Sequence, residues 1–336
     1  MGLLSTLFTP KAERDKASRE AAIADPIIDR LVAATDRRLA HVQDYRKTLR
    51  APVLEARNKL AEMIARIPGV IEVSPSAWGQ DDTLRPLFAH AADAAAAFSE
   101  DAGVRALFDS NPGADCHGML ALLQEERRVL STVAQGDSMQ VEVMRTTVSF
   151  SEPQVLAPAL DEAAVRNELV LRALDYLALR ALETVGAMRA ERRELAKERA
   201  LLHAQLKLAQ RRGVGFGAIA SKDPEAPVVD RASLERDLAH TVGQLEQAAS
   251  KSLLPALFEE LDGAFKRPEK HITIEPCTLT LDAMNFAVPA SPQSVTPRAA
   301  ILRLAHRGPF AVLIARFPRA ALQPRENRLA QAAKYL

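Results

Sequence analysis

The chain has 336 residues, 48% of them hydrophobic, 26% charged and 4% aromatic, with a formal net charge of +1. That length suits two or three compact units. The near-zero charge excludes a polyelectrolyte that works by bulk attraction to nucleic acid. No uncharged apolar stretch reaches the roughly 18 residues of a transmembrane helix, so no membrane span is expected. Scarce aromatics leave Leu, Val, Ile and Ala to build the core, which favours helix-on-helix packing. The expected fold is mainly α with small β elements, an α+β arrangement. Long coiled-coil-like helices carry a central β-meander and a small C-terminal α+β module.

Residues 1–25 read as a flexible N-terminal segment without a cleavage site. Leu3, Leu4, Leu7 and Phe8 make a small apolar patch there, ahead of the charged run from Lys11 to Glu20. Asp25-Pro26 then has the form of an N-cap followed by proline at the first helical position. From it a heptad pattern runs to Ile67, so residues 26–67 are expected to form one long helix. Its seam includes Val32, Leu39, Val42, Leu49, Val53, Leu60 and Met63, with Arg46 the charged exception. Such a seam calls for a partner helix, and a homo-oligomer is the expectation. Pro52 predicts a kink, and Pro68-Gly69 a stop.

Residues 68–157 are expected to form an acidic module. Val70–Val73 has the composition of a short strand, and two Ala-rich helices follow within 82–108. From 118 to 150 the pattern is that of a β-meander. The Gln135-Gly136-Asp137-Ser138 turn separates Val129–Val133 from the Val141, Val143, Val148 and Phe150 series. Strand is the reading over 119–130, and helix is the alternative that periodicity leaves open.

Residues 158–267 are expected to form an antiparallel pair of long helices. The first runs from Asp161 to Arg212, and 189–199 is almost wholly charged. The second starts at Asp230 and bends at Pro255, and the Gly-rich connector 213–229 joins the two. In the last module, 268–336, strands are expected at 271–275 and 278–288. A hairpin follows across Arg307-Gly308-Pro309, and a basic helix over 325–335.

Several constellations have residue types that can carry chemistry. Asp237 and His240 share a helix face, but no second such motif completes a metal site. Cys116 and His117 are sequence neighbours, and neighbours seldom align a nucleophile with its base. The two cysteines, Cys116 and Cys277, lie in no CxxC pattern, which fits a reducing, cytoplasmic setting. The glycines 213, 215 and 217 follow a helix, whereas a phosphate loop opens one. No catalytic, metal-ligating or cofactor-binding residue is therefore expected, and the chain is read as a non-enzymatic scaffold or interaction protein.

The asymmetry of charge is the strongest binding signal. Arg298, Arg303, Arg307, Arg316, Arg319, Arg325, Arg328 and Lys334 crowd the C-terminal stretch, with Glu326 the only acid among them. Residues 68–117 are correspondingly acidic. Arg303, Arg307, Arg316, Arg319, Arg325 and Arg328 are thus candidate contacts for an acidic protein surface, in the same assembly or on a partner. Nucleic acid is the alternative, although no helix-turn-helix, zinc-finger or RNA-recognition pattern accompanies them.

Overall fold

The computed structural model describes residues 11–135, 138–212, 231–249 and 253–324. In it a sheet ordered β3-β2-β6-β5-β4 is covered by helices on both faces. The sheet starts from two apolar runs. Strand β2 (Cys116–Gln135) carries Met119–Leu123, and β6 (Arg307–Phe317) carries Ala311–Ala315. They pair antiparallel from Cys116↔Phe317 to Leu123↔Phe310. A strand buried on both faces needs no polar alternation, and Leu120, Leu122, Val312, Leu313 and Ile314 are all fully buried.

On its other side β6 pairs with β5 (Ala300–Leu304), which pairs with β4 (Ile272–Pro276). Beyond the end of β5, β6 is met by the parallel two-residue strand β1 (Ile71–Glu72). The expected hairpin is the β5–β6 pair, but its turn falls at 305–306, and residues 307–309, read as the turn, open β6. The expected strand 278–288 forms only isolated bridges, such as Leu281↔Ala287. Residues 68–157 and 268–336, read from sequence as two modules, contribute strands to one sheet.

Odd and even positions of the strands face different cores. Met119, Ala121, Val312 and Ile314 pack under α1 (Lys11–Ala34), α2 (Tyr45–Ala65), α7 (Glu162–Arg212) and α9 (Leu253–Lys266). Leu120, Leu122, Leu313 and Phe317 pack against the short helices α3 (Pro75–Trp78), α4 (Leu84–Leu87), α5 (Ala91–Glu100) and α6 (Ala102–Ser110). Phe317 stacks on Phe98 at 4.9 Å between ring centroids.

The continuous helix expected over 26–67 is instead a helical hairpin. Helix α1 starts at Lys11, within the segment read as flexible, and runs through Pro26. The residues before Pro26 are strong helix formers, so the proline sits inside a helix it was taken to begin. A 3-10 turn, Arg37–His41, then reverses the chain. Asp36 caps it by accepting from the Arg38 amide at 3.0 Å, with the Arg38 guanidinium on the same carboxylate. The Arg38 hydrogen bond, working against burial, lowers the Asp36 carboxyl to about 2. Asp44, left-handed at φ 57°, completes the reversal. Across the hairpin Arg50 pairs with Asp25 and Arg46 with Asp29.

The seam is consequently covered within the chain. Val32, Leu39, Leu49, Val53 and Leu60 lie in the helical core with Leu174, Leu177 and Phe265. Met63 packs at its edge and Val42 is partly exposed. A repeat of 3.5 residues specifies a neighbour helix, and here that neighbour belongs to the same molecule.

Helix α7 begins as the sequence predicts, with Asp161 accepting from the Ala164 amide at 2.8 Å. Its first half is core. Past Val185 it leaves the body and packs against α8 (Arg231–Ala249), whose Leu234 and Thr241 are buried. The connector 213–229, Asp230 and the basic helix expected over 325–335 lie outside the described residues.

Arg166 ties α7 to the end of α2. Its guanidinium donates to the Ile64 carbonyl at 2.6 Å and the Ile67 carbonyl at 3.0 Å, while Glu162 holds it from one turn back. Both carbonyls lie at the C-terminal end of α2, where the Ile64 carbonyl also accepts from the Ile67 amide at 3.1 Å. Arg166→Ala is expected to lower unfolding free energy by about 2 kcal/mol in urea titration, because two buried acceptors lose a charged donor. Arg172→Ala, which removes a half-exposed pair with Glu168 one turn further along, is expected to change it by less than about 0.5 kcal/mol.

Candidate interaction surfaces

Strand β2 does not stop where the sheet stops. After Leu123 it pairs only with β3 (Ser138–Ala159), so the two form a ribbon projecting beyond β6. The meander expected over 118–150 is this single long hairpin, and residues 119–130 are strand. From Gln124 to Gln135, about 40 Å of chain at strand rise, the outer edge of β2 pairs with no other strand among the described residues. An open edge of this length is a template for another strand.

Leu130 and Met144 lie directly across from each other on one ribbon face, each 60% exposed. Along the open edge Glu125 and Glu126 are followed by Arg127 and Arg128. Where the ribbon leaves the sheet, Gln124 is 5% exposed, and its Oε1 has no hydrogen-bond partner among the described residues. Sequence alternation identified the strands, but it gave no sign that this stretch lies beyond every covering layer.

The opposite edge of the ribbon is held. The Val148 amide donates to the Asn285 carbonyl and the Ala287 amide to the Thr146 carbonyl, each at 2.8 Å. Arg145 lies over the Phe286 ring at 3.9 Å and pairs with Asp282 at 2.6 Å. Two one-residue bulges bend β3 on the sheet side, with Glu152 and Ala157 left-handed at φ 51° and 55°.

Of the candidate arginines, the structure ties two into the body. Arg316 pairs with Glu72 and Asp115. Arg319 donates to the Phe108 carbonyl at 2.6 Å and lies over its ring. Arg298 likewise reaches Asp81 at 3.4 Å. The acidic segment and the basic C-terminal stretch therefore meet inside one chain. Arg303 and Arg307 are exposed and make no ion pair among the described residues. Arg325 and Arg328 lie outside them.

Both thiols are buried. Burial, with Asp101 nearby, pushes Cys116 up to about 12, and burial raises Cys277 as well. Each is therefore a neutral thiol at physiological pH, which is a poor nucleophile. Asp237 and His240 are both exposed on α8. Among the described residues no group of three His, Cys, Asp or Glu side chains is placed to hold a metal ion. No helix there is long and apolar enough to cross a membrane. The chain matches no protein-family model, no curated protein and no solved structure.

The ribbon's clamp has a pH signature. Burial alone would raise the Asp282 carboxyl. The amides of Phe286 and Met284 and the Arg145 guanidinium outweigh it and hold it below its ordinary value of 3.8. A depressed carboxyl stabilises the fold above its unfolded pKa and loses that contribution as pH falls through the folded one. Asp282→Ala is expected to cost about 2 kcal/mol at pH 7. The gap between variant and parent should narrow below pH 3.8, as followed by urea unfolding at several pH values.

Proposed function

We propose that this chain is a non-enzymatic interaction protein that self-associates through the open edge of the β2–β3 ribbon. One observation carries the reading: a long unpaired strand edge beside the exposed Leu130–Met144 pair, on a ribbon whose other edge is clamped. Monomeric proteins usually blunt such edges.

The occupant that fits is a second copy of the same edge. A two-fold axis through the sheet normal sets two identical strands antiparallel. In that arrangement the Glu125-Glu126 block of one chain faces the Arg127-Arg128 block of the other, within one residue of register. Cross-strand pairs of opposite charge contribute roughly 0.2–1 kcal/mol each, and the backbone ladder adds to them. The assembly surface is thus moved from the α1–α2 seam, which the chain covers itself, to the ribbon. The long helices remain as a spacer, with α7 and α8 forming a coiled-coil-like projection.

Nucleic-acid contact through the basic C-terminal stretch has less behind it. Three of its arginines already engage groups in the acidic segment, which leaves a smaller patch for phosphates.

Charge exchange along the edge is the test. Light scattering of the full chain at micromolar concentration is expected to give the mass of two copies. The Arg127→Glu/Arg128→Glu chain and the Glu125→Arg/Glu126→Arg chain should each weaken association by at least about tenfold. An equimolar mixture of the two should recover it. A monomeric mass for the parent, or charge variants that associate like the parent, would overturn the reading.

A further inference from the structure

The last described residues are pinned to α5. Past the 3-10 turn Arg319–Ala321, the Gln323 amide donates to the Ser99 hydroxyl at 2.9 Å. Its side-chain amide donates to the Ala92 carbonyl at 3.0 Å, and Arg105 of α6 donates to the Gln323 carbonyl at 3.0 Å. Ala92 and Ser99 are two turns apart on one side of α5. Residues 325–336 therefore set out from the surface of that helix.

The other flank of α5 faces β3 across an open groove of about 590 Å³. Ala96 and Ala97 of α5 and Pro153 and Val155 of β3 give it small apolar walls, and Asp93 and Glu100 of α5 line it as well. Those two acids are exposed and two turns apart, and their carboxylates have no ion-pair or hydrogen-bond partner among the described residues. The segment that starts beside this groove has the matching character. It holds Arg325, Arg328 and Lys334 against Glu326 alone. Leu329, Ala332, Ala333 and Leu336 recur at the spacing of one helical face. Of the other long stretches outside the described residues, 1–10 has no charged side chain, and 213–229 has Lys222 against Asp223 and Glu225. Neither offers the groove the positive charge that its two carboxylates lack.

We infer that residues 325–336 dock in the groove between α5 and β3 of their own chain, with Leu329 and Leu336 toward its apolar walls and Arg325 and Arg328 toward Asp93 and Glu100. An amphipathic helix laid in a groove is a common mode of segment recognition, and alanines on the groove side let a helix approach closely. Reach is no obstacle, since twelve residues span about 18 Å as a helix and α5 is itself only ten residues long. Tethering at Gln323 makes the encounter intramolecular, so a weak contact suffices. The docked segment places the remaining candidate arginines on acids of the same chain, as Arg316 and Arg319 already are. The groove uses none of residues 124–135, so the inference stands whether or not the ribbon self-associates.

The test is amide hydrogen exchange of the full chain, read by mass spectrometry over 325–336. Amides in 329–336 are expected to exchange at least about tenfold slower than in a free peptide of the same sequence, and equally so at low and high micromolar protein. Asp93→Lys/Glu100→Lys should remove that protection, as should Arg325→Glu/Arg328→Glu, while Leu120–Leu122 stay protected and so report an intact fold. Combining the two pairs of substitutions should restore it, because the charges are then exchanged rather than lost. Three results would each overturn the inference. The first is exchange in the parent chain at the free-peptide rate. The second is protection that neither pair of substitutions diminishes. The third is protection that appears only at high concentration, which would make a second copy's segment the occupant.

Discussion

The ladder between residues 116–123 and 310–317 is the constraint on which the rest of the molecule depends. It joins segments almost two hundred positions apart and places two apolar strands where both of their faces are buried. Each face is the floor of a different core. Under one lie α1, α2, α7 and α9, and under the other α3 to α6. Closing so long a loop carries an entropic cost that grows only slowly with its length. The buried leucines, isoleucines and valines on the two strands outweigh it at roughly 25 cal/mol per Å² of apolar surface.

The charge asymmetry of the sequence takes its meaning from that ladder. Once β6 sits beside β2, its far side receives β1 in parallel register, with Glu72 opposite Arg316. Asp115, just before β2, reaches the same guanidinium. Arg319 and Arg298 engage the α6 and α4 regions in the same way. Acidic and basic stretches that look like the two halves of an intermolecular contact are, in large part, the two ends of one sheet. What the body does not absorb projects from it. One projection is the ribbon with its open edge, and the other is the outer half of α7 with α8.

Local signals were legible in the sequence wherever one short segment determines its own structure. Asp161 marks the start of α7 because a capping side chain acts on amides two or three residues away. The β5–β6 hairpin was legible from its two apolar runs, although its turn falls at 305–306 and the expected turn residues Arg307-Gly308-Pro309 open β6. The reversal at 35–44 was hidden, since its apolar spacing runs on through Leu39 and Val42 and mimics an uninterrupted heptad. Pro26 misled for a related reason, because proline is tolerated both at a helix start and, with a kink, inside one. The β2–β6 pairing was beyond reach because a doubly buried strand looks alike whatever its neighbour. The same limit applies to Leu130 and Met144, whose exposure depends on where the other strands end.

Amide hydrogen exchange followed residue by residue tests the single-sheet account most directly. If one ladder holds both cores, the amides of Leu120–Leu122 and Val312–Ile314 should exchange slowest of all. They should also respond to urea with one common slope, since they open only on global unfolding. Protection that is lost early in 310–317 while 116–123 stays protected, or two distinct urea slopes, would mean two independent modules and would contradict the account.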